Sequence, residues 1–396
     1  MNSQSRATPD AATLLADLIK CPSVTPNEAG TLTYIADLLD RAGFAIDRLT
    51  FSAPDTPDVD NLFASIGSGA PHLLFNGHTD VVPPGDEARW THPPFAAERE
   101  NGLMFGRGAV DMKGGVACFL AATLSHLADN GTPAGTLSFM ITTDEEGPAI
   151  NGSAKLVTWA REHGYAFDAG LVGEPTSIHT LGDTIKIGRR GSLSFTLTVT
   201  GKQGHVAYPH QADNPTTRLV RMLASLLDIR FDDANESFER SNLEITSIDV
   251  GNPVVNIIPA SATARFNIRF NDSWTLDMVE ALVRETLDSV GPDYDLARTA
   301  LAAEAFLTST DKLLAPLTAA VTEITGVTPE YSTGGGTSDA RFVKTLCPVV
   351  EFGLVGDTLH QVDERVPIDD LERLTAIYRR FLDLFFSGTP PVHARP

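Results

Sequence analysis

His72-Leu73-Leu74-Phe75-Asn76-Gly77-His78-Thr79-Asp80 is the stretch on which the reading of the fold turns. A short apolar run breaks off at Asn76-Gly77, and a histidine and an aspartate follow two residues apart. Such a run, bounded by turn residues, reads as a strand buried on both faces. Polar side chains directly after it stand at the carboxyl end of the strand, where open parallel sheets build their sites.

The same pattern recurs on either side. Pro9-Asp10 opens a helix running to Ile19, and 31–41 carries apolar residues at helical spacing before Gly43. A strongly apolar helix is expected over 116–127, with strands at 137–141 and 169–172. Strands alternating with helices imply a mostly parallel sheet covered on both faces. From about Gly188 the pattern changes: Leu193, Phe195, Leu197 and Val199 alternate with polar residues, as in an antiparallel strand with one wet face. A helix at 215–227, strands at 243–250 and 262–270, and a helix at 276–290 complete a small α+β unit. The α/β character then returns with a helix at 312–324, a strand at 348–354 and a helix at 369–386. The expectation is therefore an α/β catalytic domain over 1–187 and 302–396, with a mixed, mostly parallel sheet and helices on both faces. An α+β domain over 188–301 interrupts it.

Length agrees, since 396 residues exceed what one core usually holds. A net charge of −21 disfavours nucleic acid and anionic membranes as partners. No basic start with an apolar run opens the sequence MNSQSRATPD, and no stretch of about 18 apolar residues occurs, so neither a signal segment nor a spanning helix is expected. Cys21, Cys118 and Cys347 are sparse and odd in number, which suits reduced thiols in a cytoplasmic protein.

The residues able to carry chemistry cluster at the expected strand ends. Asp80 is spaced to orient the imidazole of His78, although an HxD pair alone is equally a polar surface loop. Asp111, flanked by glycines before an apolar helix, reads either as an N-cap or as a carboxylate whose two oxygens bind two ions. Asp144-Glu145-Glu146 is a solvated acidic turn unless a cation compensates it; neighbouring side chains diverge, so Glu146 can face a metal while Glu145 faces a substrate. Glu174 and His360 follow two further strands. Two imidazoles and three carboxylates without a thiolate suit zinc and similar first-row ions.

The chain resembles the M20 family of co-catalytic zinc peptidases and amidohydrolases. The resemblance rests on NGHTDVVPPG (76–85), GRGAVDMKGG (106–115), TTDEEGPA (142–149), GEPT (173–176), GRRGSLSF (188–195), GKQGHVAYPH (201–210), VVNIIPA (254–260), STGGGTSDAR (332–341) and the His360 segment. It implies two Zn2+ per subunit, with Co2+ as a substitute. His78 and Glu174 would hold one ion, Glu146 and His360 the other, and Asp111 would bridge them. Asp80 would support His78, and Glu145 would be the general base toward a water between the ions. A cis peptide at Asp111-Met112 and a homodimer formed through the inserted domain are also implied, with His205 reaching the partner's site to stabilise an oxyanion. The narrower motifs GRRGS, QGHVAYPH and TGGGTSDAR favour the branch that hydrolyses N-succinyl-LL-2,6-diaminopimelate over relatives acting on acetylornithine, acylated amino acids or peptides. That anionic substrate requires a locally cationic pocket. Arg189, Arg190 and Arg269 are the candidates, although consecutive arginines are also common as a solvated pair, and Ser192, Tyr208, Asn256, Gly336 and Thr337 can add hydrogen bonds. One departure stands out: members of that branch carry an asparagine three to five residues before the last histidine, where this chain reads Val355-Gly356-Asp357-Thr358-Leu359.

Overall fold

The strand His72–His78 lies fully buried inside an eight-stranded sheet of a computed structural model that describes residues 9–299 and 302–387. Across the sheet the order is Ala45–Phe51, Val59–Gly67, Thr136–Thr142, His72–His78, Ala169–Val172, Val349–Glu351, Thr184–Lys186 and Glu330–Ser332. The four central strands, from Thr136–Thr142 to Val349–Glu351, run parallel to one another. The α/β class with a mixed, mostly parallel sheet is as the sequence implied. Ala45–Phe51 and Val59–Gly67 form an antiparallel edge that the sequence reading did not isolate.

Neighbouring residues of the strand His72–His78 show why both faces need cover. Successive side chains of a strand point to opposite sides. The ring of Phe75 stacks on Phe119 of the helix Lys113–Asn130 at 4.0 Å. Asn76 points the other way and donates to the Ser153 hydroxyl of the helix Ser153–Glu162 at 3.3 Å. On the Phe75 side, Phe119, Phe139 and Tyr378 enclose an aromatic core, and the buried Tyr378 hydroxyl donates to the Phe352 carbonyl at 2.5 Å.

The helix expected over 116–127 runs Lys113–Asn130. It begins three residues earlier, and Gly114 and Gly115 in its first turn let it approach other backbone closely. A Cβ on Gly115 would lie 2.1 Å from the carbonyl oxygen of Gly173. This contact matters to the site, because Gly173 precedes Glu174 and Lys113 follows Asp111-Met112. Among the described residues no helix is long and apolar enough to cross a membrane.

The chain divides into two compact units. The first extends to Ile187, takes in Thr308–Ser332 and resumes at Ser338; the second is Gly188–Leu307 with Thr333–Thr337. The expected boundary at residue 301 lies outside the described residues. In the second unit an antiparallel sheet in the order Asn242–Asp249, Ser261–Phe270, Gly191–Thr200 and Asp295–Arg298 accompanies the helices Pro215–Leu227 and Leu276–Val290. Leu193, Phe195, Leu197 and Val199 point into its core with Leu219, Met222, Val279 and Val283. The glycine-rich segment belongs to this unit because Thr333 donates to the Ser237 carbonyl at 2.5 Å and Arg189 to the Gly334 carbonyl at 3.3 Å.

Gly115→Ala tests the close approach of helix and strand. Alanine ordinarily stabilises a helix interior by about 1 kcal/mol relative to glycine. Here the added methyl meets backbone, so G115A should destabilise the protein by about 1–3 kcal/mol in urea unfolding. A more stable variant would show that the contact does not exist.

Candidate metal centre

Four parallel neighbours deliver their following residues to one edge of the sheet. His78 ends its own strand; Glu145 and Glu146 follow Thr136–Thr142, and Glu174 follows Ala169–Val172. His360 comes after Val349–Glu351, and Asp111 stands two residues before the helix Lys113–Asn130. The parallel register therefore gathers side chains that lie far apart in the chain.

Asp111 is central. Its Oδ1 lies 3.2 Å from Nε2 of His78, and its Oδ2 lies 3.1 Å from Nε2 of His360. Each oxygen thus faces a different imidazole, as a bridging carboxylate would. Nε2 of His78 is also 3.8 Å from Glu174, and Nε2 of His360 is 2.8 Å from Glu146. Ligand atoms of His78, Asp111 and Glu146 lie within 4.8 Å of one another, and so do those of His78, Glu145 and Glu174. The peptide Asp111-Met112 is cis.

The supports of these groups are equally specific. Nδ1 of His78 donates to the main-chain carbonyl of Asp80 at 2.9 Å, with the Asp80 carboxylate at 3.6 Å. That carboxylate is fully buried and accepts from the backbone N–H groups of Glu145 at 3.3 Å and Glu146 at 3.1 Å. Asp80 thus ties the histidine strand to the acidic turn. Asp144, the first of the three adjacent acids, does not face the cluster as a ligand. It accepts from the N–H groups of Ala149, Ile150 and Asn151 at 3.2, 2.9 and 2.9 Å and so shapes the turn.

Charge is the notable property of the cluster. Burial alone would depress the His78 imidazole, but Asp111, Glu174 and Asp80 raise it well above its ordinary value. Asp111 and Glu146 raise His360 to about 10. Burial raises Glu174 well above the usual carboxylate range, and repulsion from Asp111 adds to it. Glu145 is raised well above that range too, by burial first and, against the lowering effect of His78, by Asp339, Glu146 and Asp111. Burial likewise brings Asp80 to about 6. Several carboxylates crowded into a water-poor site favour a bound cation. The donor set fits one: tetrahedral N/O ligands at ~2.1 Å from an ion stand about 3.4 Å apart, close to the 3.2 and 3.8 Å measured from His78.

The residues nominated in the second unit fall into two groups. Ser192 pairs across the sheet with Arg269 and accepts from Asn267 at 3.1 Å. Arg189 lies against the Gly334 carbonyl in the segment that contains Gly336 and Thr337. Arg190 is engaged within the unit, donating to Asn242 at 3.2 Å with Glu239 at 3.5 Å. His205 forms the other group with Tyr208, whose ring centroid is 5.7 Å away, and with the Asn256 segment, whose carbonyl accepts from Val206 at 3.1 Å. The N–H of Ala207 donates to Nδ1 of His205 at 3.0 Å, which puts the proton of the neutral ring on Nε2.

Sequence reasoning missed Arg107 and Glu364. Arg107 was visible only within a glycine-rich motif, and Glu364 had no local signal. Both are buried, 2.7 Å apart, beneath the segments that carry Asp111 and His360.

The profile described as "Peptidase family M20/M25/M40" matches residues 74–384. Among solved structures, an M20 family metallo-carboxypeptidase from Sulfolobus solfataricus superposes with a TM-score of 0.81 at 18% identity, covering 95% of this chain and 99% of that one. A di-peptidase from Saccharomyces cerevisiae gives 0.72 at 18% identity, with 96% of each chain covered. A dinuclear metal binding peptidase from the M20 family of Bacillus subtilis gives 0.69 at 14% identity, covering 96% of this chain and 98% of that one. At these identities the likeness is one of fold.

The raised imidazoles give a pH test. A cation requires His360 neutral, whereas its carboxylate neighbours hold the proton up to about 10. Proton and cation therefore compete below that value, and apparent Zn2+ affinity should rise with pH by about tenfold per unit for each proton displaced. Calorimetric titrations at about pH 6, 7 and 8 measure the slope. His360→Ala should bind more weakly and with a shallower slope; an unchanged slope would remove His360 from the ligand set.

Proposed function

The chain belongs to peptidase family M20/M25/M40 and is by that membership a metal-dependent hydrolase of small peptide or amide substrates, and we propose that its reaction is hydrolysis of N-succinyl-LL-2,6-diaminopimelate to succinate and LL-2,6-diaminopimelate. His78, Asp111, Glu146, Glu174 and His360 would hold two Zn2+, with Co2+ as a substitute. The observation that carries the hydrolytic reading is Asp111, whose two oxygens face two imidazoles at 3.2 and 3.1 Å. Such a reaction serves lysine and peptidoglycan precursor synthesis, and three free thiols suit the reducing cytoplasm.

Two ions held there would supply Lewis acidity for the amide carbonyl and would lower a water's pKa toward neutrality. The protein's own groups do the rest. Glu145, beside ligand Glu146, takes the proton of the attacking water and returns it to the departing amine. Asp80 holds the Glu145–Glu146 backbone in place by its two hydrogen bonds. The reading gives His205 of the partner subunit the oxyanion, because the contact from Ala207 leaves its Nε2–H as the donor. Homodimerisation through the second unit is part of the same proposal.

The finer substrate rests on the sequence motifs GRRGS, QGHVAYPH and TGGGTSDAR, with Arg189, Arg190, Arg269, Ser192, Tyr208, Asn256, Gly336 and Thr337 as contacts to its carboxylates. A second reading, hydrolysis of a dipeptide or acetylornithine, gains from two observations. Arg190 is already occupied by Asn242 and Glu239, and 355–359 lacks the asparagine of the desuccinylating branch.

Metal-loaded protein assayed on the succinylated substrate, acetylornithine and a dipeptide, each with a chelated control, separates the readings. The highest kcat/KM is expected on the succinylated substrate, and a preference for either of the others would overturn the assignment. Glu145→Gln should lower kcat by about 10²–10⁴ while metal content stays at wild-type level. Retention of full activity would remove Glu145 as the base.

A further inference from the structure

Arg107 and Glu364 form a buried ion pair, 2.7 Å between Nη1 and Oε2, and neither side chain touches a candidate ligand's side chain in the hydrogen bonds they make. Their bonds go instead to the backbone of the two segments that carry Asp111 and His360. Oε1 of Glu364 accepts from the N–H groups of Val110 at 2.9 Å and Asp111 at 3.2 Å. Oε2 accepts from Gly108 at 3.1 Å as well as from Arg107. Arg107 extends its fork the other way, to the carbonyls of Gln361 at 3.1 Å and His360 at 3.4 Å, and its guanidinium lies 5.0 Å from the Trp90 ring centroid.

The segment so held is not a relaxed one. His360 has φ 61° and Asp363 φ 56°, both in the left-handed region that L-residues with a side chain avoid. Asp363 adds a second tether, accepting from the N–H groups of Thr91 at 2.7 Å and His92 at 3.4 Å. A buried ion pair is a poor source of stability, because desolvation offsets most of the attraction. What it supplies is direction: the two terminal nitrogens of a planar fork and both oxygens of a carboxylate fix several backbone groups at once.

We propose that Arg107 and Glu364 are positioning residues that set the placement of Asp111 relative to His360 and thereby the affinity for the ion those two share. The inference rests on the two-cation reading above. Partners standing behind metal ligands commonly contribute 10–100-fold in affinity, and a pair that aligns two ligands at once belongs in that range.

The test is titration of metal-free wild type, Glu364→Gln and Arg107→Lys with Co2+, followed by calorimetry and visible absorption. E364Q replaces one acceptor oxygen with an NH2 group, and R107K keeps the charge but loses the fork. Wild type should take up two equivalents, and each variant should hold at least one of them 10–100-fold more weakly, with an altered Co2+ spectrum. Activity lost at low metal should return at high metal. Variants with wild-type affinity and spectrum, even with a lower melting temperature, would make the pair merely structural and overturn the proposal. If E364Q does not fold, R107K carries the same test. Wild type that binds no cation would sink the two-cation reading and this inference together; unchanged variants beside a two-ion wild type would sink only the inference.

Discussion

Confinement of negative charge at the end of a dry sheet is the constraint on which the rest of the structure depends. Asp111, Glu146 and Glu174 meet with Glu145 beside two imidazoles. Carboxylates this close and this buried repel one another, and burial penalises each of them. Burial first, and then this repulsion, raises Glu145 and Glu174, whereas hydrogen bonds and attraction between Asp111 and the two imidazoles keep Asp111 ionised and the imidazoles protonated. A divalent cation relieves the repulsion more completely than protons do, because it attracts several ligands at once.

The acidic residues of the region divide by what their oxygens accept. Asp80, Asp144 and Glu364 accept from main-chain N–H groups and shape three loops. Asp111, Glu146 and Glu174 turn toward the imidazoles. Loops at strand ends have few ladder bonds of their own, so buried carboxylates supply the fixed acceptors that give them one conformation. Two buried acidic sets in one small volume follow from this: one holds backbone, and the other is left for chemistry.

The second unit is built on different terms. Its sheet buries one face against two helices and leaves the other partly exposed, as the alternation over Gly191–Thr200 requires. Val206, Tyr208, Val254 and Val255 are large apolar side chains exposed in this unit near His205 and Asn256 in the chain. Arg190 shows how a residue with a plausible ligand role can also serve its own unit, since Asn242 and Glu239 already engage it.

The sequence by itself determined the parallel core and the place of the chemistry. A run as short as His72-Leu73-Leu74-Phe75, ended by Asn76-Gly77, suits an inner strand, and polar residues straight after several such runs share one edge if the strands are parallel. His78, Glu146, Glu174 and His360 stood out as candidates for that reason, and Asp111 by its glycine-flanked place before an apolar helix. Tertiary structure alone decided the rest. Nothing local marks the antiparallel edge Ala45–Phe51 and Val59–Gly67 as part of the same sheet, or the start of a helix at Lys113 across two glycines. It also decided that Glu364, 253 residues from Asp111, would accept its N–H. Periodicity records which face of an element meets water or core, whereas a single hydrogen bond between distant loops leaves no period to read.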